Sequence, residues 1–227
     1  VVVPVKTAYN GEPLGLGNTV GSRKEFVLKD MISLSKEQNS ILFGTLLGDG
    51  YLQKTGKENA RLRLEHGYKQ KEYLFWKVEK LEKLFQGKPK YLERIHPKTK
   101  KRYRYWRHQS QSTPYLGKVG KIFYPEDKKE IPQRLNKYLT PLALAVWYMD
   151  DGYYYRRDKC SYLYLGNVSE KEANLVRDTL IEKFSLRTKV KKKKKGYAVY
   201  FSPDETKKLK SLIKGYTLNY FSYKFPS

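Results

Sequence analysis

Two aspartates, each followed by glycine and each ending an apolar run, are the side chains best placed to do chemistry. The first closes Leu42-Phe43-Gly44-Thr45-Leu46-Leu47-Gly48-Asp49-Gly50, and the second closes Leu144-Ala145-Val146-Trp147-Tyr148-Met149-Asp150-Asp151-Gly152. One Asp-Gly after a helical pattern is an ordinary chain reversal. Two at matching places suggest a use for two carboxylates. Each run has a helix start upstream: Ser35-Lys36-Glu37-Gln38 fits a capping box, and Thr140-Pro141 places a cap donor before a first-turn proline. Each pattern stops at the glycine after the acid. Gly44 and Gly48 on one helix, and Ala143 and Ala145 on the other, permit close packing, which would bring Asp49 and Asp151 together. Like charges crowded there call for a cation between them. Oxygen donors without a His or Cys cluster favour Mg2+ over zinc. Carboxylates sharing a metal beside a basic surface are an apparatus for phosphodiester hydrolysis.

The rest of the composition narrows the partner. The chain has 227 residues with 47 Lys+Arg against 23 Asp+Glu, a formal charge of +24, and 21 tyrosines. That balance points to a polyanion, with Tyr and Trp beside Arg and Lys suited to stacking and phosphate contact. No stretch approaches the roughly 20 apolar residues of a membrane span, so nucleic acid is preferred over a membrane. A lone cysteine, Cys160, excludes an internal disulfide and a cysteine-rich zinc site. His66, His96 and His108 lack metal-motif spacing and read as surface or groove residues rather than ligands. No basic-then-apolar leader pattern opens the chain.

The elements that must position the acids occur twice. Residues 1–34 carry glycine and proline without a sustained period and read as an extension, an arm or a packed tail. After the first acid, Arg61-Leu62-Arg63-Leu64-Glu65 alternates as a strand. A helix with Leu74, Val78, Leu81 and Phe85 inward then runs toward Gly87. A basic hairpin over 90–110 turns near Pro97-Lys98-Thr99-Lys100. Thr113-Pro114 opens a short helix, and Lys128-Lys129-Glu130-Ile131-Pro132 closes the unit. After Asp151 the script repeats. Ser161-Tyr162-Leu163-Tyr164-Leu165 alternates, and Ser169–Glu172 caps a helix with Ala173, Val176, Leu180 and Phe184 inward. A hairpin from Arg187 to Phe201 turns near Gly196, and Ser202-Pro203 caps a last helix. The paired acids lie 102 residues apart, Leu62 and Leu163 101, and Lys129 and Lys224 95. The domain expectation is therefore an extension over 1–34, a first repeat over 35–135 and a second over 136–227.

Strand alternation also chooses the groove-facing side chains. With Leu62 and Leu64, and Leu163 and Leu165, against helices, Arg61, Arg63, Tyr162 and Tyr164 point to the partner. The first strands begin with Tyr51, Gln53, Tyr153 and Tyr155. The hairpins add Arg102, Arg104, Arg187, Lys189 and Lys191. Arginine can read guanine edges, while lysine mostly neutralises phosphate.

The runs LFGTLLGDG and LAVWYMDDG, with the secondary features LTPLALAVWYMDDG, KKEIP and the terminal YKFP, resemble the LAGLIDADG homing endonucleases. The resemblance covers about residues 36–226 and is closest to the single-chain, two-repeat branch. It implies an α+β fold of two pseudo-symmetric αββαββα repeats whose saddle-shaped antiparallel sheets grip a long double-stranded DNA site. The acid-ending helices would meet at the interface of the repeats. It also implies a monomer that cuts both strands across the minor groove, leaving 3′ overhangs, with Mg2+, with Mn2+ as a substitute, and with Ca2+ binding but not supporting cleavage. Carried over, the last acids Asp49 and Asp151 hold metal, and Lys129 and Lys224 order active-site waters. Gly48, where the family usually has alanine, and Asp150 stand beside the metal. The part played by Asp150, a third carboxylate, is left open. An organelle intron as host follows from the resemblance alone. A competing reading keeps the scaffold without cleavage, as in an intron-RNA maturase. A basic ribonucleoprotein component would leave the duplicated acid helices unexplained.

Overall fold

The computed structural model describes residues 33–225, so residues 1–32, nearly all of the expected extension, lie outside the described residues. The chain runs through α1 (Lys36–Leu47), β1 (Tyr51–Lys54), β2 (Ala60–Gly67), α2 (Lys71–Lys80), β3 (Lys90–Ile95), β4 (Arg102–Gln109) and α3 (Pro114–Phe123). A short α4 (Leu135–Tyr138) follows. The order then recurs as α5 (Pro141–Asp151), β5 (Gly152–Tyr155), β6 (Cys160–Gly166), α6 (Glu170–Phe184), β7 (Lys189–Lys193), β8 (Gly196–Phe201) and α7 (Pro203–Ile213). The fold is α+β with two αββαββα runs. Each builds one antiparallel four-stranded sheet, in order β1-β2-β4-β3 and β5-β6-β8-β7. No helix among the described residues is long and apolar enough to cross a membrane.

Helix starts follow the local chemistry. Ser35 Oγ accepts from the Gln38 N–H and Gln38 Oε1 accepts from the Ser35 N–H, each at 3.1 Å. Thr140 Oγ1 accepts from the Ala143 N–H at 3.1 Å ahead of Pro141. Helix stops follow less closely. α1 ends at Leu47 with Gly48 as its cap, rather than reaching Gly50. The Gly50 N–H turns back to the Thr45 carbonyl at 2.7 Å, which closes the helix before Asp49. α2 ends at Lys80, well before Gly87. A 3-10 turn over Glu82–Leu84 then brings Leu84 into the core beside Leu81. Tertiary packing has overridden the longer helical period there.

α1 and α5 pack face to face at the centre of the molecule. Their flanks are buried nearly all round, with Ile41, Leu42, Leu46, Ala143, Val146 and Trp147 at or below 1% exposure. A side-chain carbon on Gly44 would collide with the Ala143 carbonyl. Glycine there sets how closely the two helices approach. The sheets lie outside this pair, each packing one face on helices. Leu52, Leu62 and Leu64 are buried beneath the first sheet, and Leu163, Val199 and Phe201 beneath the second.

Candidate active site

The close approach of α1 and α5 brings three carboxylates and three lysines to one end of the helix pair. Asp151 occupies the last turn of α5. Asp49 follows the cap of α1 in the turn leading to β1. The charges are felt across the junction. Burial, then the negative charges of Asp49 and Asp150, push the Asp151 carboxyl up to about 7. Burial and Asp150 push Asp49 up as well, against the pull of Lys77, Lys129 and Lys224.

Each sequence-derived lysine closes on the carbonyls of its own acid-bearing turn. Lys129 Nζ donates to the Gly48 and Gly50 carbonyls at 2.6 and 3.2 Å. Lys224 Nζ donates to the Met149 and Asp150 carbonyls at 2.6 and 3.1 Å. A cation at the carbonyl end of a helix is favourable, and here it also faces the acids. Lost hydration pushes both ammonium groups down in pKa, and the three aspartates hold them up. Gly48, Lys129 and Asp151 share the wall of a cleft of about 300 Å³. The cleft thus draws residues from both runs.

Asp150 crosses to the other helix. Its side chain has no exposed surface and accepts from Lys77 Nζ at 2.9 Å on both oxygens. Lys77 is fully buried too. Asp150 Oδ2 also accepts from the Asp49 N–H at 3.2 Å. A side-chain carbon on Gly48 would collide with this carboxylate. Glycine in the first motif and the extra acid in the second are therefore one feature: the smaller residue makes room for the larger.

The expectation that His66 is a surface or groove residue is corrected. It is 3% exposed on the inner face of β2. Burial, then the Lys77 charge, lower its pKa to about 3, so it is neutral. Lys77 Nζ lies 3.3 Å from His66 Nε2. An ammonium has only hydrogens to offer, so Nε2 accepts and Nδ1 carries the hydrogen. That Nδ1 has no hydrogen-bond partner and faces Asp49 Oδ2 at 4.0 Å. Asp49, His66 and Asp150 present one potential ligand atom each within 4.8 Å of one another. Asp151 is not in that group, but the two raised aspartates, Asp49 and Asp151, supply the hard oxygen donors that a divalent cation such as Mg2+ takes. Asp150, engaged by Lys77, fits a supporting place better than a ligand's.

Lys77 and His66 did not emerge from motif reasoning, but the pattern holds a signal for each. Lys77 falls on the buried stripe of α2 with Tyr73 and Leu74, and His66 continues the buried alternation Leu62, Leu64. A polar residue at a core position of a periodic pattern needs a partner.

The remaining sequence-derived residues separate by strand register. On the first sheet Tyr51 pairs Arg63, Gln53 pairs Arg61, and Glu65 pairs Arg107, so these share the face turned away from the helices. Arg102 and Arg104 do not join them. Their parity puts them on the face of Trp106, where both form ion pairs with Glu93. Alternation on β4 selects Tyr103, Tyr105 and Arg107 for the outer face. On the second sheet Tyr153, Tyr155, Tyr162, Tyr164, Lys189 and Lys191 all share the outer face. Arg187 lies ahead of β7, exposed, with its N–H bonded to Glu205.

Comparison with known proteins agrees with this architecture. The sequence profile of the LAGLIDADG DNA endonuclease family matches residues 39–209. A probable intron-encoded endonuclease 1 of Wickerhamomyces canadensis is 28% identical over 217 residues, 93% of each chain. The DNA endonuclease I-ChuI of Chlamydomonas applanata is 35% identical over 131 residues, 53% of this chain and 60% of that one. A RecA protein of Mycolicibacterium flavescens is 36% identical over 129 residues, 56% of this chain but only 28% of that protein. Among solved structures, the homing endonuclease I-WcaI bound to its DNA recognition sequence superposes with a TM-score of 0.81 at 27% identity. That match covers 94% of this chain and 97% of the other.

Proposed function

The chain belongs to the LAGLIDADG DNA endonuclease family, and from that premise we propose that it is a monomeric homing endonuclease that cuts a long double-stranded DNA site. The observation that carries this reading is the junction of α1 and α5, where acids from two matching runs meet and where burial and neighbouring carboxylates raise both Asp49 and Asp151. The relative bound to its recognition sequence supports duplex DNA as the partner.

Asp49 and Asp151 would hold the cation, Mg2+ in the cell with Mn2+ as a substitute and Ca2+ as a non-supporting ligand. The bound metal supplies a water of lowered pKa and neutralises charge on the phosphate. The chain's own residues do the rest. Lys129 and Lys224 fix the two acid-bearing turns through their carbonyls and place positive charge where phosphate arrives. Lys77 and Asp150 hold the turns against each other through the Asp49 N–H. The outer faces of the two sheets, rich in Arg, Lys and Tyr, would lie along the duplex. The acids between them then face the minor groove, where a cut leaves 3′ overhangs.

The test is cleavage of a randomised duplex library in Mg2+ and in Ca2+, with the ends sequenced. A single long site cut only in Mg2+, with 3′ overhangs, is the expected result. Asp49→Asn and Asp151→Asn should each lose roughly 100-fold or more in cleavage rate while binding the same site. Either variant cutting at the parent rate removes that residue from the metal site. Sequence-specific binding without any cleavage, or preference for intron RNA, would overturn the endonuclease reading in favour of the maturase.

A further inference from the structure

The two outer sheet faces are chemically unlike. Resting on the endonuclease reading for the presence of duplex DNA, we propose that the target is read asymmetrically: the half beneath the first sheet carries most of the base-pair discrimination, and the half beneath the second is held with little of it.

The first sheet presents groups that can read base edges, already aimed. Arg61 Nε donates to Gln53 Oε1 at 3.0 Å, and Arg107 Nε donates to Glu65 Oε2 at 2.9 Å. Arg63 reaches the same Glu65 oxygen at 3.4 Å. A guanidinium anchored along one edge keeps its remaining N–H groups in a fixed fork, so little freedom is lost on binding. Arginine pairs bidentately with guanine, glutamine with adenine, and glutamate accepts from cytosine. All five side chains lie on the outer face, at alternating positions of β1, β2 and β4.

The second sheet presents nothing of that kind. Tyr153, Tyr155, Tyr162, Tyr164 and Tyr200 share its outer face with the β7 lysines. Among the strand positions on that face there is no Arg, Gln, Asn, Asp or Glu. The tyrosines are engaged with one another: the Tyr155 and Tyr164 hydroxyls share a 3.0 Å hydrogen bond, and Tyr155 meets Tyr162 edge-on. Lys193 Nζ sits 3.9 Å from the Tyr162 ring centre. Ring edges suit thymine methyls, and a lysine ammonium suits phosphate. Neither gives the two-point hydrogen bonding that separates the four base pairs. The half beneath this sheet is therefore selected by methyl contact and ease of deformation, which favours A·T-rich sequence.

The experiment is a binding selection from a randomised duplex library in Ca2+, paired with cleavage of single-substitution targets in Mg2+. Positions at which a wrong pair costs roughly tenfold or more should cluster in one half. Arg63→Ala and Arg107→Ala should relax specificity in that half alone. Lys191→Ala should weaken binding evenly across sequences and reduce its salt dependence. Intolerant positions spread evenly, or relaxed in the strict half by Tyr162→Ala instead of Arg63→Ala, would overturn the proposal. Asymmetric binding without cleavage would support it while removing the endonuclease reading; cleavage at an evenly read site would do the reverse. Binding without sequence preference would overturn both.

Discussion

At the end of α1 the acid has left the helix; at the end of α5 it is still inside. Asp49 sits past the Gly48 cap with its side chain half exposed, while Asp151 occupies the final helical turn and is held closer to neutrality. The backbone plan is duplicated, and so is the lysine that binds each turn's carbonyls. The neutralisation is not. Only α5 carries an adjacent second acid, and it turns into the first run to meet Lys77 and His66. Pseudo-symmetry thus fixes where the two motif-ending acids stand, while a buried ion pair spanning both runs decides how they are held. With Asp49, Asp150 and Asp151 facing Lys77, Lys129 and Lys224, formal charges cancel before any cation or phosphate enters. A divalent ion would then tip the site positive, the sign a phosphodiester needs.

Removing Lys77 should do the most damage. Lys77→Met leaves the Asp150 carboxylate buried without its cation, a loss of about 3–5 kcal/mol in urea unfolding. Lys77→Met with Asp150→Leu should recover most of it, because an apolar pair of similar volume replaces a buried ion pair at little cost. Lys224→Met, whose ammonium hydrogen-bonds to carbonyls while Asp150 keeps its bond to Lys77, should cost less, about 1–3 kcal/mol. Equal losses in Lys77→Met and in the double variant would mean the pair does not join the two ends as described.

A smaller effect tests the fit of Gly48 to Asp150. Gly48→Ala should cost about 1–3 kcal/mol, because the new methyl group meets the carboxylate. In a Lys77→Met, Asp150→Ala background much of that penalty should vanish, giving a coupling measurable in a double-mutant cycle. Gly152, the glycine after the other acid, offers a control. A side chain there collides with the Tyr148 ring and carbonyl, so removing Asp150 should bring Gly152→Ala no relief.

These contrasts also show what the sequence made legible. The capped starts, the double αββαββα order and the convergence of Asp49 and Asp151 could be read because periodicity, caps and spacing are local signals. Gly44 and its neighbours announced close helix packing for the same reason. The Asp150–Lys77 pair could not be read that way. Its members lie 73 residues apart in different runs, and only the packing of α1 against α5 and α2 brings them together. The lysine's place on an apolar stripe was visible; its partner was not. Arg102 and Arg104 lie on the face opposite Arg61 and Arg63, which the sequence could not show, because a strand's period says which residues share a face. It does not say which face turns outward, and near a hairpin tip both faces are exposed.

A last test separates the two acids by pH. Asp151 titrates near 7 in the folded chain against about 4 when unfolded, so between those values the folded state binds more protons. Stability without metal should therefore fall as pH rises through that window. The fall is complete once Asp151 is ionised. Asp49 is shifted the same way, but its half-exposed side chain keeps more of its hydration. Melting temperatures in chelator at about pH 5 and about pH 8 should show the decline, and Asp151→Asn should flatten it more than Asp49→Asn. Ca2+ should raise the melting temperature more at the higher pH, where protons no longer compete for the carboxylates. An unchanged slope in Asp151→Asn would mean that the crowding of the two helix ends does not hold that acid's proton, and the inequality between them would then rest on the ion pair alone.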